Sequence, residues 1–89
     1  MTGQRDAVLA PRFLDDLDHW IRPHPRTATR LIELIRAILR DPFAGLGKPE
    51  PLKQMGANFW SRRLTDADRV VYVVYDDRVE FLQARYHYR

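Results

Sequence analysis

At 89 residues the chain has room for one domain with a modest core, and no second domain fits. Its 45% hydrophobic and 30% charged residues argue against wholesale disorder, and the absence of cysteine removes disulfides, thiolate catalysis and cysteine-based zinc sites together. A formal charge of +3 is a mild lean toward polyanions, no apolar run approaches the ~20 residues of a membrane span, and the first residues lack a signal-peptide core, so a cytoplasmic protein with no membrane association is expected.

Ala7 to Ala10 read as a short first strand, and Pro11 suits the first turn of a helix. In that helix Phe13, Leu14, Leu17, Trp20 and Ile21 form one apolar stripe, with Asp15, Asp16 and Asp18 opposite. Pro23 and Pro25 make a turn into a second helix, from Pro25 to Arg40, whose stripe is Ala28, Leu31, Leu34, Ile35, Ile38 and Leu39. Asp41-Pro42 ends it, because proline disfavours α geometry in the residue before it. Phe43 to Lys53 has the Gly and Pro content of a loop. Strand signals then run from Asn58 to Leu64, Arg69 to Tyr75 and Arg78 to Tyr86. The order predicts one α+β domain over residues 1–89, with two N-terminal antiparallel helices on one face of a mainly antiparallel sheet of four or five strands.

The last stretch, Arg78 to Arg89, joins packing to chemistry. A side-chain period of two puts Val79, Phe81, Gln83, Arg85 and His87 on one face and Glu80, Leu82, Ala84, Tyr86 and Tyr88 on the other. Its far end gathers donors that no core requires.

Three upstream stretches offer matching groups. Pro49 and Pro51 leave Glu50 little backbone freedom, which suits a stiff surface loop with a solvated carboxylate as well as a poised one. Alternation places Arg63 with Phe59 and Ser61, and Arg62 with Trp60 and Leu64, so only one of the pair faces a given site and Arg62→Ala is expected to cost less activity than Arg63→Ala. Arg69 opens a strand, where a salt bridge to Asp66, Asp68 or Asp77 is the plainer reading. His87 has no His, Cys or paired Asp at ligand spacing, so no metal and no cofactor are expected. A carboxylate, a histidine, arginines, a lysine and tyrosines suffice for metal-free phosphodiester cleavage, with the carboxylate taking the proton of a ribose 2′-OH and the histidine protonating the leaving 5′ oxygen. Dependence on the 2′-OH makes RNA the substrate.

Gly47-Lys48-Pro49-Glu50-Pro51-Leu52-Lys53, Phe59-Trp60-Ser61-Arg62-Arg63, Arg69-Val70-Val71-Tyr72 and Ala84-Arg85-Tyr86-His87-Tyr88 stand in the order in which the YoeB toxins of the RelE superfamily carry them. The chain closely resembles that family over nearly its whole length. The resemblance implies a toxin of a type II toxin-antitoxin system, a ribosome-dependent endoribonuclease that cuts messenger RNA in the A site. It implies Glu50 as general base, His87 as general acid and Arg69 as phosphate-stabilising cation, with Tyr88 also catalytic. Lys48, Lys53, Arg63 and Arg85 become substrate contacts. The implied partners are ribosome-bound mRNA, an antitoxin with a disordered acidic C-terminal segment, and a second copy of the chain as a candidate homodimer. Asp68 departs from the histidine that relatives often place before the arginine, and could alter the charge around Arg69. The competing readings are a non-enzymatic toxin of ParE type, which lacks the Glu50 and His87 pair, and an RNA- or ribosome-binding module in which Glu50 is idle.

Overall fold

The structure, a computed structural model, describes residues 4–87. Pro11 and Pro25 each occupy the first turn of a helix, where the missing N–H costs nothing and the fixed φ is already helical. They open α1 (Pro11–Ile21) and α2 (Pro25–Arg40). Before them runs β1 (Asp6–Leu9), and after them β2 (Glu50–Pro51), a 3-10 turn (Lys53–Met55), β3 (Phe59–Arg63), β4 (Arg69–Val74) and β5 (Arg78–Tyr86). The strands form one sheet in the order β1-β5-β4-β3-β2, antiparallel except for the parallel pairing of β1 with β5. The α+β class is as predicted, with five strands. One of them, β2, lies inside the segment read as loop: Glu50 pairs with Ser61 and Pro51 with Trp60. Two residues at an edge are enough, and an edge is where proline is tolerated in a sheet.

Both helices cover one face of the sheet. Phe13, Trp20, Leu31, Leu34 and Ile38 pack against Val70, Tyr72, Val74, Val79, Phe81 and Ala84 in a single core cluster. The ring of Phe13 meets that of Phe81 at 5.5 Å between centroids, and truncating such a fully buried aromatic to alanine costs about 3–5 kcal/mol. The α2 stripe is buried as expected at Leu31, Leu34 and Ile38. The α1 stripe is narrower than expected: Leu14 and Ile21 are 49% and 48% exposed, while Asp16, assigned to the polar face, is only 3% exposed.

The reason lies in β5. Tyr72 pairs with Phe81 but Val71 with Gln83, and Arg69 pairs with Tyr86, so the register slips twice along the strand. Strict alternation over residues 79–87 therefore fails. Ala84 turns into the core with Val79 and Phe81, whereas Tyr86 comes to lie opposite Arg69. Helix α1 takes up the irregular backbone: Ala84 N–H donates to Asp16 Oδ2 at 2.8 Å, and Trp20 Nε1 donates to the Ala84 carbonyl at 3.1 Å. A buried carboxylate is tolerable here because it is bonded and has Arg12 at 3.3 Å.

Arg62 is the second departure. It does face away from Arg63, with Trp60 and Leu64, but that side is the covered one and its side chain is fully buried. Its guanidinium donates to the carbonyls of Asp41, Ala44 and Leu46 and to the Tyr72 hydroxyl, which itself donates to the Pro42 carbonyl at 2.7 Å. One arginine thus fastens the segment after α2 onto the sheet. Gly47 closes that segment at φ +88, its carbonyl accepting from Arg63 N–H at 2.7 Å, and an added Cβ would stand 2.9 Å from Leu34 and 3.1 Å from the Arg63 carbonyl. Only glycine fits so close an approach. Among the described residues no helix is long and apolar enough to cross a membrane.

Candidate active site

The face of the sheet opposite the helices collects a set of polar groups. Cross-strand partners share a face, so the pairs Glu50 with Ser61, Arg63 with Arg69 and Arg69 with Tyr86 bring these five side chains to the side opposite the helices. Arg69 is nearly buried, and its Nε donates to Ser61 Oγ at 2.8 Å. Its Nη2 donates to the carbonyls of Lys48 at 3.1 Å and Ser61 at 3.4 Å, and lies 3.4 Å from Glu50 Oε1. The Glu50 side chain is 45% exposed against 9% for Arg69. A fixed guanidinium therefore holds a carboxylate that still reaches solvent. The salt bridge expected from the turn aspartates is replaced by this one, because β2 pairs with β3 and brings Glu50 alongside.

His87 follows β5, and its Nε2 lies 3.0 Å from Asp68 Oδ1. Asp68 belongs to the turn between β3 and β4, where the Thr65 hydroxyl donates to Asp68 Oδ2 at 2.9 Å and accepts from the N–H groups of Ala67 and Asp68. Asp68 is directed at the histidine. Lys48, Lys53, Arg63 and Arg85 are all exposed, and none makes an ion pair among the described residues. Arg63 and the Lys48 backbone adjoin the Glu50–Arg69 pair. Lys53, in the 3-10 turn, and Arg85, just before Tyr86, make no hydrogen bond with Glu50, Arg69 or His87 among those residues. Tyr88 lies outside the described residues.

Sequence reasoning placed Ser61 beside Arg63 by alternation but gave it no role, and it gave Thr65 none either. The Thr-x-x-Asp spacing of a side-chain-capped turn is the signal that could have found Thr65. Two concavities of about 320 Å³ each are lined by other residues, one by Arg5, Phe43, Asn58, Val74, Tyr75 and Asp76 and one by residues 23–27. Among the described residues no three His, Cys, Asp or Glu side chains converge as a metal site.

Two helices on one side of a mixed sheet, with a carboxylate tethered to an arginine on the other, is the architecture of the small RelE-like toxins. The YoeB/ParE toxin from Agrobacterium tumefaciens superposes with a TM-score of 0.85 at 44% identity, over 93% of this chain and 99% of that one. Staphylococcus aureus YoeB, solved as a dimer and in complex with YefM, gives TM-scores of 0.88 and 0.81 at 28% identity, over 96% of this chain and 99% of its own. Toxin RelK of Mycobacterium tuberculosis is 47% identical over 84 residues, 94% of this chain and 99% of its own length. The family model for the YoeB-like toxin of bacterial type II toxin-antitoxin systems matches residues 9–88, and the chain belongs to that family.

Proposed function

We propose that this toxin is an endoribonuclease that cuts messenger RNA in the ribosomal A site by general acid-base catalysis. The observation that supports this most is the Glu50–Arg69 pair, a half-exposed carboxylate fixed 3.4 Å from a nearly buried guanidinium on the face opposite the helices. Glu50 takes the proton of a ribose 2′-OH, and the 2′ oxygen attacks the adjacent phosphorus in line. The bond to the 5′ oxygen breaks as His87 protonates it. Arg69 stabilises the charge growing on the phosphoryl oxygens. Lys48, Lys53, Arg63 and Arg85 hold the flanking phosphates, and Tyr88 completes the catalytic set. The scheme uses side chains alone and needs no metal. The ribosome dependence in this reading follows the family resemblance, and a cytoplasmic site of action is part of the same proposal.

The four exposed cations also suit an acidic antitoxin segment that orders on binding, as the complex of the S. aureus relative with YefM suggests, and the dimer of that relative makes a second copy a further candidate partner. The test is to map RNA ends from programmed ribosomes. Wild type should leave a 2′,3′-cyclic or 3′ phosphate and a 5′-OH, in EDTA as far as the ribosome tolerates it. Glu50→Gln and His87→Ala should each slow cutting by about 10²- to 10⁴-fold with ribosome binding retained. A 5′ phosphate would overturn the mechanism, and toxicity surviving in both variants would leave the non-enzymatic ParE-type reading in its place.

A further inference from the structure

His87 has two ring nitrogens, and the structure distinguishes them. Nε2 lies 3.0 Å from Oδ1 of Asp68, a residue only 8% exposed, while the histidine side chain is 62% exposed. The other Asp68 oxygen is taken by the Thr65 hydroxyl at 2.9 Å. That hydroxyl oxygen already accepts two backbone N–H groups, from Ala67 at 3.2 Å and Asp68 at 2.9 Å, so its one hydrogen is left for the carboxylate. The Asp68 side chain is thereby set in one orientation by its own turn. An ionised carboxylate can only accept, so the hydrogen in the contact with the ring belongs to Nε2. A neutral ring held this way keeps a lone pair on Nδ1, and a cationic ring keeps a proton there. The Nδ1 edge is the one left for a ligand.

Resting on the general-acid reading above, we propose that Asp68 is the positioning residue of His87 and that the proton given to the leaving 5′ oxygen comes from Nδ1. In that step the Nδ1–H bond of the imidazolium breaks as an O–H bond forms on the 5′ oxygen. The electron pair of the broken P–O bond stays on that oxygen, now neutralised. The ring is left neutral with its hydrogen on Nε2, the tautomer that Asp68 already binds, so no ring flip or second proton shift is needed before Nδ1 is reprotonated from water. Asp68 itself gains and loses no proton. A histidine at this position could not supply an acceptor-only partner in the same way.

Two measurements on the full chain test this. The first compares messenger RNA with the natural oxygen and with a bridging 5′ sulfur at the mapped cut site, on programmed ribosomes. A thiolate leaves without protonation, so a defect in the acid disappears on the sulfur substrate while a defect in folding or docking persists. His87→Ala is expected to lose about 10²- to 10⁴-fold on oxygen, Asp68→Ala at least about tenfold, and both to come within about threefold of wild type on sulfur. Rescue of His87→Ala without rescue of Asp68→Ala would overturn the positioning role and leave the general acid standing, as would an Asp68→Ala that cuts the oxygen substrate at the wild-type rate. Failure to rescue His87→Ala would remove the general acid and this inference with it. The second measurement needs no variant: ¹⁵N NMR of the ring in the unaltered protein should show the neutral tautomer with hydrogen on Nε2. Hydrogen on Nδ1 would overturn the proposal even if Asp68→Ala failed to fold.

Discussion

Arg62 and Arg69 sit on neighbouring strands at 0% and 7% exposure, and both donate to main-chain carbonyls. Their surroundings set them apart. Arg62 points to the helix side, where three carbonyls and the Tyr72 hydroxyl take up its donors and no carboxylate is bonded to it among the described residues. Arg69 points to the side opposite the helices and is held by Ser61 and Lys48 so that it meets a half-exposed Glu50. The same residue type is a fastener on one face and, in the proposed function, a site group on the other. Burial alone does not separate the two roles; the identity of the acceptors does.

The comparison breaks most visibly at Arg62. Arg62→Ala leaves three carbonyls and a phenol without their donor, and hydrogen bonds to a charged group are worth enough each that the loss should reach about 3–5 kcal/mol, a large share of a domain's ~5–15 kcal/mol. Denaturant unfolding should report it directly. Toxicity falls as well, through loss of the fold, so Arg62→Ala is the more damaging change, reversing the expectation from strand alternation. An Arg62→Ala protein with wild-type stability would mean that the segment after α2 is fastened some other way.

A smaller effect is expected at Asp16, which reaches across from α1 to the irregular part of β5. Asp16→Ala strands the buried Ala84 N–H and should cost about 1–3 kcal/mol, whereas Asp15→Ala and Asp18→Ala, both exposed, should stay within about 0.5 kcal/mol. The register slip that Asp16 supports also brings Tyr86 opposite Arg69. On the proposed function, cutting by Asp16→Ala should therefore fall further than its folded fraction, and activity that tracks the folded fraction alone would separate the slip from the site.

These residues also mark the boundary of what the chain discloses before folding. The motif around Glu50, the strand opening at Arg69 and the ending at His87 are short contiguous runs, so their place among the strands and turns is legible from neighbours in sequence. Helix ends at Pro11, Pro25 and Asp41-Pro42 are legible for the same reason: proline acts on its own turn. What is not legible spans the chain. Asp16 meets Ala84 across 68 positions, Arg62 meets Asp41 across 21, and His87 meets Asp68 across 19. A period-two reading of β5 assumes a regular ladder, and nothing in residues 78–87 announces that α1 will supply the bonds that let it slip.

The smallest effect concerns Tyr72, which ties Arg62 to Pro42 on the covered face. Burial raises its pKa above the ordinary 10.0, and the hydrogen bond and charge of Arg62 oppose that rise without cancelling it. The folded state thus prefers the neutral phenol. Its contribution is fully present below the unfolded value near 10 and is lost as pH climbs from there through the folded value, because the unfolded chain releases the proton first. Tyr72→Phe removes both this linkage and the hydroxyl's hydrogen bonds, so at about pH 8 it should be less stable than wild type by on the order of 1 kcal/mol. Above pH 10 the gap should narrow, since only wild type carries the titrating phenol; groups that titrate alike in both proteins cancel in the difference. Paired unfolding curves across that range read the gap directly. A gap that stays constant with pH would mean the Tyr72 hydroxyl is solvated, and the polar tie beneath the helices would then reduce to Arg62 and its carbonyls.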